Sequence, residues 1–250
     1  MNTALANIKT ITKRELTSYF TSPVAYVFIV IFLLLLGFFT FMIGGFFERG
    51  EASLVSFFPW HPWLYLFLVP AMGMRLWSEE RRLGTLEFLL TMPITPWQAI
   101  LGKFLASWLF LAVALALSVP VVITVAYLGS PDLRAVFCGY IGSFLLAGAY
   151  LAVSCMTSAL TRNQVVSFII SVVICLFLIL AGWPPVTNML THMLTGSNWL
   201  VELVSAFSVM THFESFQRGL LDSRDVFFFL SVIAFSLFTT GVIIRGLRTS

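Results

Sequence analysis

The densest group of charged side chains in the sequence lies in segment 75–93, between two long apolar stretches. The whole chain is 59% hydrophobic and only 10% charged, so this concentration indicates a surface that meets something other than lipid. Basic and acidic groups mixed at this density can form ion pairs with a partner protein. A solvated loop between two spans is the alternative, because loops of membrane proteins carry charge by default. The charged members are Arg75, Glu79, Glu80, Arg81, Arg82 and Glu87.

The spacing within this segment predicts a helix over 78–92. Four leucines recur three and four residues apart and would share one face, while the charges lie mostly off that face. Such a helix can lie on a membrane surface and present its charges to the cytoplasm. Gly84 would allow a bend or a close approach, and Pro93 would end the helix. The four leucines are Leu83, Leu86, Leu89 and Leu90.

Few other side chains could do chemistry. The sequence has no Gly-x-x-x-x-Gly-Lys-Ser/Thr loop, no His-Glu-x-x-His and no Cys-x-x-Cys, so we expect no nucleotide, cofactor or metal to be bound by this chain itself. His61 lies among two prolines and two tryptophans, which favours an aromatic cluster over a ligand. His212 and Glu214 would not share a helix face, which disfavours a metal site or proton relay. The cysteines lack paired spacing and are interpreted as packing residues. They are Cys138, Cys155 and Cys175.

The composition predicts an all-α polytopic membrane protein. A mean hydropathy of +0.98 and 26 phenylalanines leave too little polar surface for a soluble domain. The apolar runs are continuous and do not alternate, which excludes a β-barrel. Each run can cross a hydrocarbon core of about 30 Å. The six predicted spans are 24–47, 60–77, 100–128, 135–160, 164–184 and 226–244.

The basic residues predict the orientation. Placing both termini in the cytoplasm puts ten Lys and Arg inside and four outside, as membrane proteins prefer. The net charge of +3 reflects this sidedness and needs no nucleic-acid partner. The four external residues are Arg49, Arg134, Arg218 and Arg224. The ten internal residues are Lys9, Lys13, Arg14, Arg75, Arg81, Arg82, Lys103, Arg162, Arg245 and Arg248.

Two segments outside the spans have patterns of their own. Residues 1–22 mix Lys13, Arg14 and Glu15 with apolar residues and are typical of an amphipathic helix lying in the membrane interface, more than of a signal peptide. Residues 185–225 form the one long external region, expected to contain one or two short helices with aromatic rings at the level of the headgroups.

The spans themselves carry almost no charge. Arg75 and Lys103 lie near cytoplasmic ends, where their stems can extend towards the headgroups, and no acidic residue lies at mid-bilayer. Neither internal repeats nor a coupling carboxylate is visible, which argues against an ion-coupled carrier. The energy source is therefore expected outside the membrane part.

At this point the sequence resembles a known family. Segment 79–93 reads EERRLGTLEFLLTMP and is followed by Gln98 and LGKFL at 101–105, which resembles the signature of ABC-2-type permeases. Three further segments are similar to the gliding-motility-type branch, and the resemblance covers nearly the whole chain as one permease domain over 1–250. They are RELTSYFTSPVAY at 14–26, GYIG at 139–142 and SALTRNQ at 158–164.

The resemblance implies a six-span, half-size permease of a bacterial inner membrane. It implies pairing with a second copy or a close relative, and two copies of a separate cytoplasmic ATPase that binds ATP and Mg. An extracytoplasmic subunit is a further partner in this picture. The N-terminal helix would flank a coupling helix that fits a groove on the ATPase. The coupling residues implied are Glu79, Glu80, Arg81, Arg82, Gly84, Thr85, Glu87, Leu90 and Pro93, with Lys13, Arg14 and Glu15 on the flanking helix.

Two activities remain open at this stage. The permease could export a lipid, a polysaccharide or a hydrophobic compound through a cavity. It could instead relay ATP-driven motion to an extracytoplasmic partner without moving a solute. An ion channel or lipid scaffold is a third reading, and it leaves the charged segment unexplained.

Overall fold

The structure is a computed structural model that describes residues 2–46, 54, 56–86, 94–129, 131–193, 199 and 204–249. These residues form helices and no strand, which confirms the all-α class. The helices are α1 (Asn2–Thr21), α2 (Pro23–Phe38), α3 (His61–Gly73), α4 (Arg75–Leu83), α5 (Pro96–Ala116), α6 (Val119–Leu128), α7 (Leu133–Leu160), α8 (Gln164–Leu180), α9 (Pro184–Met193), α10 (Val209–Gln217) and α11 (Ser223–Thr249). A π-helical turn, Phe39–Ile43, continues α2.

Several apolar helices match the predicted spans. Within the described residues, four helical segments are long and apolar enough to cross a membrane, and they correspond to predicted spans one, three, four and six. They are Pro23–Ile43, Pro96–Leu128, Leu133–Leu160 and Ser223–Leu247. Helix α8 matches the fifth span but has 17 residues, about 26 Å at 1.5 Å per residue. A multi-pass membrane protein is thus confirmed, whereas the count of six remains a prediction.

Two of the predicted spans are broken, and a proline lies close to each break. The second span is divided at Met74 into α3 and α4, one turn after Pro70. The third span is divided between α5 and α6, just before Pro120. Proline has no N–H to donate to the helix ladder, so it weakens the turn around it. Neither break follows from hydropathy, since both lie inside continuous apolar runs.

Helix α7 is the centre of the bundle. Its N-terminal cap is Asp132, whose carboxylate accepts from the backbone N–H of Arg134 at 2.9 Å and of Ala135 at 3.4 Å. Nearly every residue from Gly142 to Ala159 is buried, because α7 contacts α3, α4, α5, α8, α10 and α11. Its 28 residues span about 42 Å. Helix α10 lies against its N-terminal half and α4 against its C-terminal end, so we call these the α10 end and the α4 end.

Helix α1 packs part of its apolar surface against α5, while its predicted place in the membrane interface remains a prediction. A methyl group added at Gly102 of α5 would come within 2.6 Å of Ile11, so only glycine allows this approach. Two hydrogen bonds also join α1 to α5. The Thr12 hydroxyl donates to the carbonyl of Gly102 at 3.2 Å, and the Asn7 amide donates to the amide oxygen of Gln98 at 3.2 Å. Helix α1 therefore packs against the protein core at the α4 end.

Candidate functional site

The N-terminus of α4 is capped by a side chain from α7. The Ser158 hydroxyl accepts from the backbone N–H of Trp77 and of Ser78, both at 3.0 Å, and donates to the carbonyl of Met74 at 2.7 Å. A hydroxyl has one donor and two acceptor positions, so all three are occupied. The first N–H groups of a helix have no intrahelical partner. Ser158 therefore fixes where α4 begins and how it is oriented on α7.

Beside this cap, a buried lysine of α5 binds α4. The ammonium of Lys103 lies 2.7 Å from a carboxylate oxygen of Glu80 and donates to the carbonyl of Leu76 at 3.3 Å. It also lies 5.3 Å from the centre of the Trp77 ring and 3.9 Å from the carboxylate of Glu15 on α1. Lys103 is 6% exposed, so the predicted extension of its stem towards the headgroups is wrong. Lys103 on α5 is therefore paired with α4 through Glu80 and lies close to α1 through Glu15.

A cation of α4 itself, Arg81, also faces the protein. The Arg81 guanidinium donates to the carbonyl of Ala159 near the C-terminal end of α7. Burial lowers the pKa of Arg81, and the nearby Arg162 lowers it further. A helix C-terminus is the favourable place for a cation, because its last carbonyls lack partners. Glu80 and Arg81 therefore hold α4 in place, and the prediction that all charges of this segment face outward is wrong for these two.

Three further residues of α4 form its outward surface. Glu79 is half-buried and Arg82 is exposed, and neither has an ion-pair partner among the described residues. Leu83 is 62% exposed. Among the described residues, none of these three side chains makes a hydrogen bond or an ion pair with α5 or α7. We call them the outer face of α4.

The predicted 78–92 helix is interrupted by a glycine. Helix α4 ends at Leu83, and Gly84 adopts a φ of +71°, the left-handed conformation that closes many helices. Thr85 is exposed and its hydroxyl donates to the carbonyl of Glu80 at 3.4 Å. The predicted coupling residues Glu87, Leu90 and Pro93 lie outside the described residues. The pattern of leucines favoured one long helix, but the backbone freedom of Gly84 ends it earlier.

The charged residues of α1 divide between two environments. Lys13 and Arg14 are exposed, whereas Glu15 is half-buried beside Lys103. Arg14 pairs with Glu15 at 2.8 Å. One turn on, the phenol of Tyr19 lies 2.9 Å from the Ser107 hydroxyl, and burial raises the pKa of Tyr19 to about 12. The phenol therefore stays protonated, and α1 remains bonded to α5 across the neutral range.

A comparison with known families decides what kind of protein this is. A family model described as ABC-2 family transporter protein matches residues 9–240, which is most of the chain. The chain belongs to the ABC-2 transporter family. No curated protein matches the chain. As an ABC-2 family member it is the permease subunit of an ABC transporter, a membrane transport subunit with no catalytic centre of its own. Membership does not extend to the gliding-motility-type branch, which remains a resemblance.

The α10 end of this ABC-2 permease is held mostly by apolar contacts. Phe213 and Phe216 of α10 are fully buried within the protein, whereas Trp199 and Phe207 are exposed. Phe216 packs against Gly142 of α7, where an added methyl group would approach it to 2.7 Å.

Two histidines of the permease fit into this packing in different ways. His61 is fully buried among aromatic rings, including Phe57 at 5.0 Å, which confirms the predicted aromatic cluster. His212 lies 2.7 Å from the carboxylate of Asp225 on α11. Glu214 instead pairs with Arg218, so His212 and Glu214 share no partner, as the helix geometry predicted. Among the described residues no group of three metal-ligating side chains occurs.

A cavity of about 320 Å³ opens between α7 and α10. Its two acidic groups already have partners: Asp132 caps α7, and Glu214 pairs with Arg218. Apolar side chains, Phe58 and Val136 among them, complete the lining. Since the carboxylates are occupied, the cavity offers shape and apolar surface more than charge.

Sequence reasoning missed three residues that organise the permease: Ser158, Lys103 and Asp225. The one available signal was the lone lysine inside an apolar span, because a charge at that depth requires a counter-ion. No pattern in the sequence identifies which carboxylate supplies it. A serine in an apolar helix carries still less information, since such serines usually bond to their own helix.

Proposed function

We propose that this ABC-2 permease couples ATP hydrolysis by a separate cassette ATPase to export of a solute across a bacterial inner membrane. A lipid, a polysaccharide or a hydrophobic compound is the class of solute. The observation that carries the proposal is the outer face of α4, formed by Glu79, Arg82 and Leu83. It combines both signs of charge with an exposed leucine, a combination that suits a protein groove better than lipid tails.

The ATPase is proposed to dock on the outer face of α4 from the cytoplasm, where both termini would lie. Lys13 and Arg14 on the exposed side of α1 would flank the same contact. Two ATPase copies would bind ATP and Mg and would serve a pair of permeases, either two copies of this chain or this chain and a close relative. Closure of the ATPase would push α4, which adjoins α3 and is bonded to α5 and α7.

Relay of motion to an extracytoplasmic subunit is a second candidate, and the packing of α7 favours it. One end of this helix is bonded to α4 and its other half packs on α10. A displacement of α4 can therefore reach the opposite end through one rigid element of about 42 Å. The cavity between α7 and α10 would change shape in step.

Reconstitution in lipid vesicles tests the proposal. The purified chain alone is expected to hydrolyse no ATP, and adding a cassette ATPase encoded beside it is expected to produce vesicle-dependent hydrolysis. Robust ATP turnover by the isolated chain would contradict the proposal. Transport of a fluorescent lipid under these conditions supports export. An ATP-dependent change in the labelling of a cysteine at Leu220, with no lipid transported, supports relay.

A further inference from the structure

Lys103 lies in an apolar helix, yet every group that binds its ammonium comes from another element. Glu80 and the carbonyl of Leu76 belong to α4, and Glu15 belongs to α1. An ammonium in such surroundings is costly unless it is paired and hydrogen-bonded. The position of Lys103 in α5 therefore depends on α4 staying in place, and the position of α4 depends equally on Lys103.

The carboxylate of Glu80 depends on the same contact. One of its oxygens lies 2.7 Å from the Lys103 ammonium, while the other is buried with no hydrogen-bond partner among the described residues. Lys103 is thus the cation that neutralises Glu80. Arg81, next in the chain, is turned towards α7 and bonds to Ala159.

Glu15 gives the ammonium a second, more distant carboxylate. It lies 3.9 Å from Lys103, beyond hydrogen-bond distance, and it is already paired with the exposed Arg14 at 2.8 Å. The same ammonium therefore faces α4 at short range and α1 at longer range. A small movement of α4 changes the balance between these two carboxylates.

We propose that Lys103 is a positioning residue that fixes α4 on α5 and beside α1, so that α1, α4 and α5 move as one body. The inference deepens the proposed function, because it names the contact through which a push on α4 would enter span 3. It rests on the proposed function only for the statement that an ATPase displaces α4. We call the contact between Lys103 and Glu80 the clamp. Both residues belong to the permease, so the clamp can be tested without an ATPase.

The accessibility of two native cysteines shows whether α4 stays in place on α5 and α7. The Trp77 indole of α4 donates to the Cys155 thiol at 3.2 Å, and Cys155 is fully buried beneath it. Displacing α4 would therefore expose Cys155. Cys175 on α8 is also fully buried, and among the described residues the Trp77 indole donates to Cys155 and not to Cys175. Two parent proteins are needed, each retaining one of these cysteines with alanine at the other cysteine positions.

The experiment measures the rate of labelling by N-ethylmaleimide in the purified permease. Lys103→Met and Glu80→Gln are each expected to label Cys155 about tenfold faster, as loss of a buried charged contact predicts. Glu79→Gln on the same helix is the matched control and should stay within about twofold of its parent. Labelling of Cys175 should not accelerate in any variant. Unchanged labelling of Cys155, or equal acceleration at both cysteines, would overturn the proposal.

The double variant separates positioning from simple charge neutralisation. If the pair acts as one clamp, Lys103→Met with Glu80→Gln should label Cys155 as fast as either single variant. A return to the parent rate would mean that Lys103 only neutralises Glu80, and the proposal would fail.

An added cassette ATPase gives a separate readout. Lys103→Met is expected to retain the bound ATPase and to lose most of the stimulation of ATP hydrolysis. A parent that recruits no ATPase would refute the proposed function while leaving the labelling result intact.

Discussion

Helix α7 contacts α4 and α10 through different chemistry. At the α4 end, Ser158 has all its hydrogen-bonding positions occupied and Lys103 pairs with Glu80. Near the α10 end, Ser143 is equally buried but its hydroxyl has no partner among the described residues. The contact with α10 there is made by rings such as Phe216 on Gly142. Two hydrogen bonds of 2.9 Å, from the Trp108 indole to the carbonyl of Phe144 and between the hydroxyls of Ser118 and Tyr140, join the same half of α7 to α5 and to the residue before α6.

This contrast matters because the two kinds of contact specify different things. Apolar packing stabilises in proportion to buried area and tolerates small rotations, whereas hydrogen bonds and ion pairs require direction. The contacts at the α4 end therefore fix the orientation of α4, as a helix that binds a partner requires. The α10 end is built to hold two helices together.

The largest effect we predict concerns the side of the membrane on which each end lies. A cysteine replacing the exposed Thr85 should resist an impermeant thiol reagent added to intact cells, and one replacing the exposed Leu220 should react. Labelling at Thr85 and not at Leu220 would reverse the proposed orientation.

The next effect compares two serines of the same helix. Ser158→Ala would remove three hydrogen bonds, two accepted from backbone N–H groups and one donated to the Met74 carbonyl, at a cost of about 3 kcal/mol, or about 6 °C or more in Tm. Ser143→Ala removes a hydroxyl without a partner and should change stability by less than about 0.5 kcal/mol. Thermal unfolding in detergent micelles measures both. Similar Tm values for the two variants would remove the contrast between the ends of α7.

A smaller effect is expected from the ion pairs of the α10 end. Asp225→Asn weakens a mostly buried bond to His212, with an expected cost of about 1–2 kcal/mol. Glu214→Gln removes a pair whose side chains are 59% and 68% exposed, so its cost should stay below about 0.5 kcal/mol. The same thermal assay tests this order. A larger loss from Glu214→Gln would show that the exposed pair has a structural role.

The sequence predicted the helices well wherever a long apolar run determines them. Pro96–Leu128 and Leu133–Leu160 lie within a few residues of the predicted spans, since hydropathy is a local property. The breaks were missed because the prolines near them, Pro70 and Pro120, do not by themselves determine a break in a membrane-spanning helix. Ser158, which organises the break at Met74, lies on another helix, and the leucine pattern beyond Gly84 hid the left-handed glycine that ends α4.

The site was predicted only in outline. Charge density identified the segment around α4, but it could not separate the inward Glu80 and Arg81 from the outward Glu79 and Arg82. That division depends on which neighbours α5 and α7 supply. Single-sequence periodicity carries no such information, because the partner of Glu80 is a lysine in a different span.

Reversal of the outer face of α4 tests the central claim most directly. Glu79→Arg with Arg82→Glu keeps the net charge and spares Glu80 and Arg81, while it inverts the pattern offered to a partner. Because like charges at an interface cost several kcal/mol, the reversed permease should still be extracted as a folded protein and should recover less than about one tenth of the parent's ATPase.

The matched control is the same exchange at the other end of α7. Glu214→Arg with Arg218→Glu is also neutral in net charge and is expected to recover ATPase at the parent level. Equal ATPase recovery by both reversed permeases, measured by co-purification at low salt, would contradict docking on α4.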